Sequence, residues 1–176
     1  NLIWLPPPSY AGASSAGYNP REYFRLDNSY GSFAQHRAML KTLLEEGVEP
    51  VADIVINHRE GTGGWARFKN PDWDLSAICK YDEAFTNPDS EAFNTPESMR
   101  GAEEEKPHYA SHGGTTYQYA SFRDLDHTNR QVRKDIIRYL LLLKSAGYRG
   151  WRYDMVHGYH ARHLALYNQR SRPTFS

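Results

Sequence analysis

The chain has 176 residues, 39% hydrophobic and 24% charged, and its 21 Lys plus Arg balance its 21 Asp plus Glu. That length suits one core with at most an excursion, the balanced charge leaves no basic excess for nucleic-acid phosphates, and no apolar run approaches the roughly 20 residues that span a bilayer. The single cysteine, Cys79, excludes an intrachain disulfide and a cysteine-rich zinc site.

The elements follow in chain order. Residues 1–5 read as a short apolar strand stopped by Pro6, Pro7 and Pro8, which cannot donate to a ladder. A turn-rich loop carrying Gly12, Gly17, Asn19 and Pro20 comes next. Ser32 with Gln35 makes a capping box for a helix whose stripe is Phe33, Leu40, Leu43 and Leu44, and Gly47 suits its left-handed end. Val51 to Ile56 is a near-continuous branched run, as in strands covered on both faces. The same order then repeats. Thr128 with Gln131 reads as a second capping box, Val132, Ile136, Leu140 and Leu143 form the stripe, Lys144 favours the negative helix end, and Gly147 closes it. Residues 149–156 read as a strand, residues 161–167 as a shorter helix, and residues 173–176 as the opening of another strand.

This alternation is an α/β pattern with crossover connections. Its interruption runs from Arg59 to about Arg123 and is rich in Gly, Pro, Asn and Asp. A structureless loop of that length is improbable in a compact domain, so we read an irregular subdomain over 59–123 inserted into a domain made of 1–58 and 124–176. Glu103, Glu104 and Glu105 within it read as a solvated face.

Active groups in such folds gather at the carboxyl ends of parallel strands. Tyr10 and Tyr18 follow the first strand, Asn57 and His58 end the second, Arg152 and Asp154 lie on the third, and Asp124, Asp126 and His127 precede the second long helix. Arg152 and Asp154 are two apart and face the same way on a strand. An arginine beside a carboxylate keeps it ionised, which suits a nucleophile for an anomeric carbon; a plain ion pair between strands is the competing reading. Asn57 and Asp124 offer hard oxygens, which suit calcium rather than zinc, against the reading of Asn57 as a turn-former and His58 as a hydrogen-bonded loop residue. The aromatic content of 14%, with 13 Tyr, supplies a core and leaves a few flat faces for stacking on sugar rings.

In order along the chain, Leu2-Ile3-Trp4-Leu5-Pro6-Pro7-Pro8-Ser9, Gly17-Tyr18-Asn19-Pro20, Asp53-Ile54-Val55-Ile56-Asn57-His58, Asp124-Leu125-Asp126-His127 and Gly150-Trp151-Arg152-Tyr153-Asp154 resemble conserved segments of the alpha-amylase family of glycoside hydrolases. The resemblance runs over essentially the whole chain. It implies a partial (β/α)8 TIM barrel, about strands 2 to 4 and the start of 5, with an inserted domain B after strand 3. It implies Asp154 as nucleophile, Arg152 as the arginine that orients it, His58 as a sugar-bonding histidine and Tyr18 as a stacking tyrosine. It also implies a structural calcium held by Asn57, Asp124 and the Gly158 carbonyl. His157 takes the place of a basic substrate-contacting residue, and Trp65 of the inserted segment is a further candidate glucan contact.

The family's general-acid glutamate has no counterpart before Ser176, and Glu60 and Glu103 lie in the inserted region. The expectation is therefore a fragment of a retaining α-1,4-glucan hydrolase, inactive alone, with open sheet edges that pair with the rest of a barrel or with another copy. Its ligand is a starch-like α-glucan or malto-oligosaccharide, with no nucleic acid and no membrane as partner. The polymeric substrate suggests secretion, although no leader is present in the chain as given. Two other classes stay open: a non-catalytic glucan-binding protein using Trp65, Trp73 and the tyrosines, and a metal-dependent α/β hydrolase using His58, Asp124 and Asp154. A phosphate-binding barrel is disfavoured because no glycine-rich phosphate loop opens a helix.

Overall fold

The computed structural model describes residues 1–12, 15–62, 67–79, 82 and 122–176. In chain order the elements are β1 (Leu2–Leu5), β2 (Tyr10–Ala11), β3 (Pro20–Glu22), α1 (Phe33–Glu45), β4 (Glu49–Ile54), β5 (His58–Arg59), β6 (Arg123–Asp124), α2 (Arg130–Ala146), β7 (Gly150–Tyr153) and α3 (Ala161–Ser171). Short 3-10 turns occupy Leu75–Ala77 and Val156–Gly158.

The branched run around Val51 forms the middle of a parallel sheet ordered β1-β4-β7. Its register sets Trp4 beside Val51, and Asp53 beside Arg152. The run at Phe175 adds a parallel bridge to Gly150, and Trp151 N donates to the Phe175 carbonyl at 3.0 Å, so the segment read as a strand opening does join the sheet. Both central strands are shorter than their apolar runs: β4 ends at Ile54 and β7 at Tyr153. Residues 55–57 and 154–156 leave the ladder to build the site.

The helices obey their local signals, with one correction. Ser32 and Gln35 complete both bonds of a capping box, and Gly47 and Gly147 have φ of +72° and +128°. The cap of α2 is Asn129, not Thr128; the Asn129 side chain accepts from the backbone N–H of Gln131 and Val132. The Thr128 hydroxyl instead donates to Asp126 Oδ1 at 2.6 Å. Lys144 leaves its own helix end and donates to the last carbonyls of α3, at Ser171 and Arg172. The α2 stripe Val132, Ile136, Leu140 and Leu143 is fully buried, and each of these side chains stabilises the core by roughly 1.5–3 kcal/mol as an upper estimate. In α1 only Leu40 is buried, so that helix contributes less.

Buried polar groups tie the loops to this core. His127 Nε2–H donates to the Ile56 carbonyl at 2.9 Å, its Nδ1 accepts from the Tyr167 hydroxyl at 2.6 Å, and its ring stacks 4.6 Å from Tyr159. Burial first, and His163 second, push the His127 pKa down to about 3, which keeps the ring neutral. Arg59 is fully buried and donates to the carbonyls of Arg21, Lys69 and Pro71. Its guanidinium lies 4.8–5.1 Å from the Tyr23, Phe68 and Trp73 ring centroids. Trp73, held for a glucan contact in the binding-protein reading, is therefore 7% exposed and committed to packing. Arg123 and Asp82 form a wholly buried ion pair at 2.6 Å. The antiparallel pairing of β5 with β6 sets His58 opposite Asp124 and brings the two ends of the 59–123 segment together.

Candidate active site

The site begins with the one buried charged residue of β4, Asp53. Asp53 has no exposure and sits opposite Arg152 in the parallel register. Arg152 Nη1 donates to Asp53 Oδ1 and Oδ2 at 2.9 and 3.1 Å and to Asp154 Oδ1 at 2.6 Å. Arg152 and Asp154 therefore do face the same side, although Asp154 lies one residue past β7; its backbone N–H is tied to the Ile54 carbonyl at 2.9 Å. The Arg152 side chain is 44% exposed and that of Asp154 15%, so solvent or a ligand reaches the pair from the open side. Trp4, on β1, lies 5.4 Å beneath the guanidinium.

Tyr18 closes the network. Its hydroxyl donates to Asp53 Oδ2 at 2.8 Å, and its carbonyl accepts from His58 Nε2 at 2.9 Å. That bond assigns the His58 proton to Nε2 and leaves Nδ1 to accept from Asn57 Nδ2 at 3.3 Å. The chain reaches this position through Gly17, whose φ is +95°, and a Cβ there would lie 3.0 Å from both Pro7 Cβ and the Pro7 carbonyl, so the turn needs glycine. Burial, followed by the Asp53 hydrogen bond and charge, pushes the Tyr18 pKa up to about 12. Tyr18 is thus a donor to Asp53. For Asp53 itself burial outweighs the bonds from Arg152 and Tyr18, and its pKa is raised. Burial acts against the Arg152 charge, but the bonds and charges of Asp53 and Asp154 outweigh it and its pKa rises, so the guanidinium stays cationic.

A second cluster lies beside the first. Asn57 Nδ2 donates to Asp124 Oδ1 at 2.9 Å, with both residues buried. Asn57 Oδ1 is buried and accepts no hydrogen bond among the described residues. It points at the backbone of Gly158, where an added Cβ would fall 1.5 Å from it. An amide oxygen, a carboxylate and a nearby backbone segment without a side chain are the hard-oxygen donors that calcium takes. Among the described residues no three His, Cys, Asp or Glu side chains converge, so the alternative metal centre of His58, Asp124 and Asp154 is not assembled there.

Of the remaining candidates, His157 is exposed on the 3-10 turn after Asp154, and Trp65 and Glu103 lie outside the described residues. Asp53 and Trp4 were given no role by sequence reasoning. The usable signal for Asp53 was its charge inside the branched run Val51 to Ile56; for Trp4 there was none, because its relation to Arg152 exists only across the sheet.

The family model described as the alpha-amylase catalytic domain matches residues 1–172. The chain is 28% identical over 181 residues to "Alpha-amylase 3, chloroplastic" of Arabidopsis thaliana, covering 99% of this chain and 18% of that protein. It is 30% identical over 181 residues to "Probable alpha-amylase 2" of the same plant, covering 98% and 38%. Against "Oligo-1,6-glucosidase" of Heyndrickxia coagulans the identity is 25% over 157 residues, covering 89% and 28%. Among solved structures, a variant of alpha-amylase I from Eisenia fetida with maltohexaose gives a TM-score of 0.67 at 19% identity, covering 95% of this chain and 34% of that one. The alpha-amylase of Geobacillus thermoleovorans with acarbose gives 0.64 at 16% identity, covering 97% and 34%. These structural likenesses establish a shared fold, and the chain spans well under half the length of the relatives it matches.

Proposed function

This chain belongs to the alpha-amylase family of glycoside hydrolases, and on that premise we propose that it carries the nucleophile half of a retaining α-glucan hydrolase. The observation that carries the reading is the single Arg152 nitrogen held on buried Asp53 and bonded to Asp154 at 2.6 Å. In this reading Asp154 attacks the anomeric carbon of an internal α-1,4 linkage. Arg152, bonded to that carboxylate at 2.6 Å, aims it. Tyr18 lines the sugar beside it, His58, buried with both ring nitrogens bonded within the protein, positions Tyr18, and His157 and Trp65 are outer glucan contacts. The ligands of two solved relatives, maltohexaose and acarbose, are the natural probes.

Retaining hydrolysis needs a second carboxyl about 5 Å from the attacker, able to give a proton to the leaving oxygen. Asp53 shares Arg152 with Asp154, but both its oxygens are engaged by Arg152 and Tyr18. The 176 residues alone are therefore proposed to be inactive, the acid being supplied by further barrel strands. The parallel sheet is read as strands 2 to 4 of a (β/α)8 barrel with the start of a fifth, and residues 59–123 as its inserted domain B. The exposed Leu2, Ile3, Trp4 and Phe175 mark edges that such strands, or a second copy, would cover. Calcium, bound by Asn57 Oδ1, Asp124 and the Gly158 carbonyl, would supply a structural tie between that insertion and the barrel. No helix among the described residues is long and apolar enough to cross a membrane; secretion is proposed from the polymeric substrate.

The test is starch hydrolysis by the 176-residue chain, alone and with the complementary part of an alpha-amylase barrel added. The chain alone is expected to show no turnover, and Asp154→Asn to lower the complemented rate by roughly 10⁴-fold or more. Turnover by the chain alone, or complemented activity that survives Asp154→Asn, overturns the reading. Starch binding that persists without any complemented activity would favour the glucan-binding module instead.

A further inference from the structure

Met155 follows Asp154 directly and has φ +45° and ψ +46°, the left-handed region. A non-glycine residue stays there only when its surroundings enforce it. Two contacts do so. The Met155 carbonyl accepts from Gly158 N at 2.8 Å, and its sulfur lies 4.0 Å from Asn57 Nδ2. That amide is the one that holds Asp124, and its oxygen is pressed against Gly158. Asn57 and Asp124 are 2% and 1% exposed, whereas Met155 is half-buried. Met155 is thus the partly accessible residue at the edge of an otherwise sealed joint between the β4 exit, β6 and the backbone carrying Asp154.

We propose that Met155 is a modification site, a thioether whose oxidation by hydrogen peroxide unlocks this joint. The sulfur lone pair attacks one peroxide oxygen, the S–O bond forms as the O–O bond breaks, and the departing hydroxide takes the proton of the sulfur-bound hydroxyl, leaving the sulfoxide and water. Sulfur is oxidised by two electrons and peroxide is reduced. The product is larger, polar and a strong acceptor where the thioether was a weak one. Asn57 cannot shift toward Gly158 to make room. The sulfoxide therefore draws Asn57 Nδ2 off Asp124 or swings out of the joint, and either movement releases the left-handed turn behind Asp154. This inference needs no enzymatic activity and stands apart from the proposed function.

The experiment treats the chain with hydrogen peroxide, maps oxidised methionines by peptide mass, and follows thermal unfolding. The chain has three methionines; Met39 is 41% exposed on α1 and serves as the internal control, while Met99 lies outside the described residues. Oxidation at Met155 is expected to lower the melting temperature by about 3–6 °C, and methionine sulfoxide reductase to restore it. Met155→Leu should melt at the same temperature with and without peroxide. Should that variant fail to fold, the double variant Met39→Leu/Met99→Leu, which keeps Met155 as the only methionine, should retain the full peroxide effect. Met155 left unmodified when Met39 is fully oxidised, or a Met155 sulfoxide with an unchanged melting temperature, overturns the proposal.

Discussion

Gly158→Ala is the smallest perturbation with the largest expected consequence. The position has no left-handed backbone, so only space is at issue. The new Cβ would lie 1.5 Å from Asn57 Oδ1, 2.5 Å from its Cγ and 3.2 Å from its Nδ2. No hinge of a flexible side chain relieves that contact, because Asn57 is 2% exposed and bonded to Asp124 at 2.9 Å. Moving Asn57 breaks a buried bond to a charged group, costing about 1.5–3 kcal/mol. Overpacking adds about 1–3 kcal/mol. The sum, roughly 2.5–6 kcal/mol, corresponds to a fall of about 5–24 °C for a chain of this size. Thermal unfolding by circular dichroism measures it. The double variant Gly158→Ala/Asn57→Ala removes the atom being struck, so the alanine at 158 should cost under about 1 kcal/mol in that background. A single variant melting within about 2 °C of the parent, or strict additivity in the cycle, would show that the Asn57–Gly158 contact is not tight and would refute the reasoning.

Acid should weaken the fold through His127. Its folded pKa is about 3 against the ordinary 6.5, so between those values the unfolded chain binds the extra proton; stability is full above about pH 6.5 and is lost as pH falls toward 3, by up to roughly 4–5 kcal/mol. A pH series of melting temperatures in the parent and in His127→Gln checks this, and the slope should flatten in the variant. Arg59→Lys should cost about 3–5 kcal/mol despite keeping the charge, since an ammonium cannot span three carbonyls and three rings; urea unfolding midpoints decide it, and a change under about 1 kcal/mol would contradict the assignment. Calcium at about 100 times its dissociation constant should raise stability by about 2.7 kcal/mol, zinc should not substitute, and Asn57→Ala should remove the effect; equal stabilisation of parent and variant would place the ion elsewhere.

Local signals were legible in the sequence wherever one helical turn or one glycine settled the matter. The Ser32–Gln35 box and the positive φ of Gly47 and Gly147 needed no distant partner. The order of apolar runs determined which strands are parallel neighbours, and the short motifs, taken in order, pointed to the family. Even locally a choice between adjacent caps was misread: Asn129 took the cap because Thr128 bonds Asp126. The strand ends were unreadable for a different reason. Val55, Ile56 and Val156 are as apolar as the residues before them, and the ladder stops at Ile54 and Tyr153 because residues beyond are claimed by Tyr23, His127 and Gly158. Only the tertiary structure made Asp53 the hub of the site. Its partners are 35 and 99 residues away, and a buried carboxylate acquires its role from the groups that compensate its lost hydration. Periodicity describes one face of one element; the chemistry here arises where three strands and two loops meet.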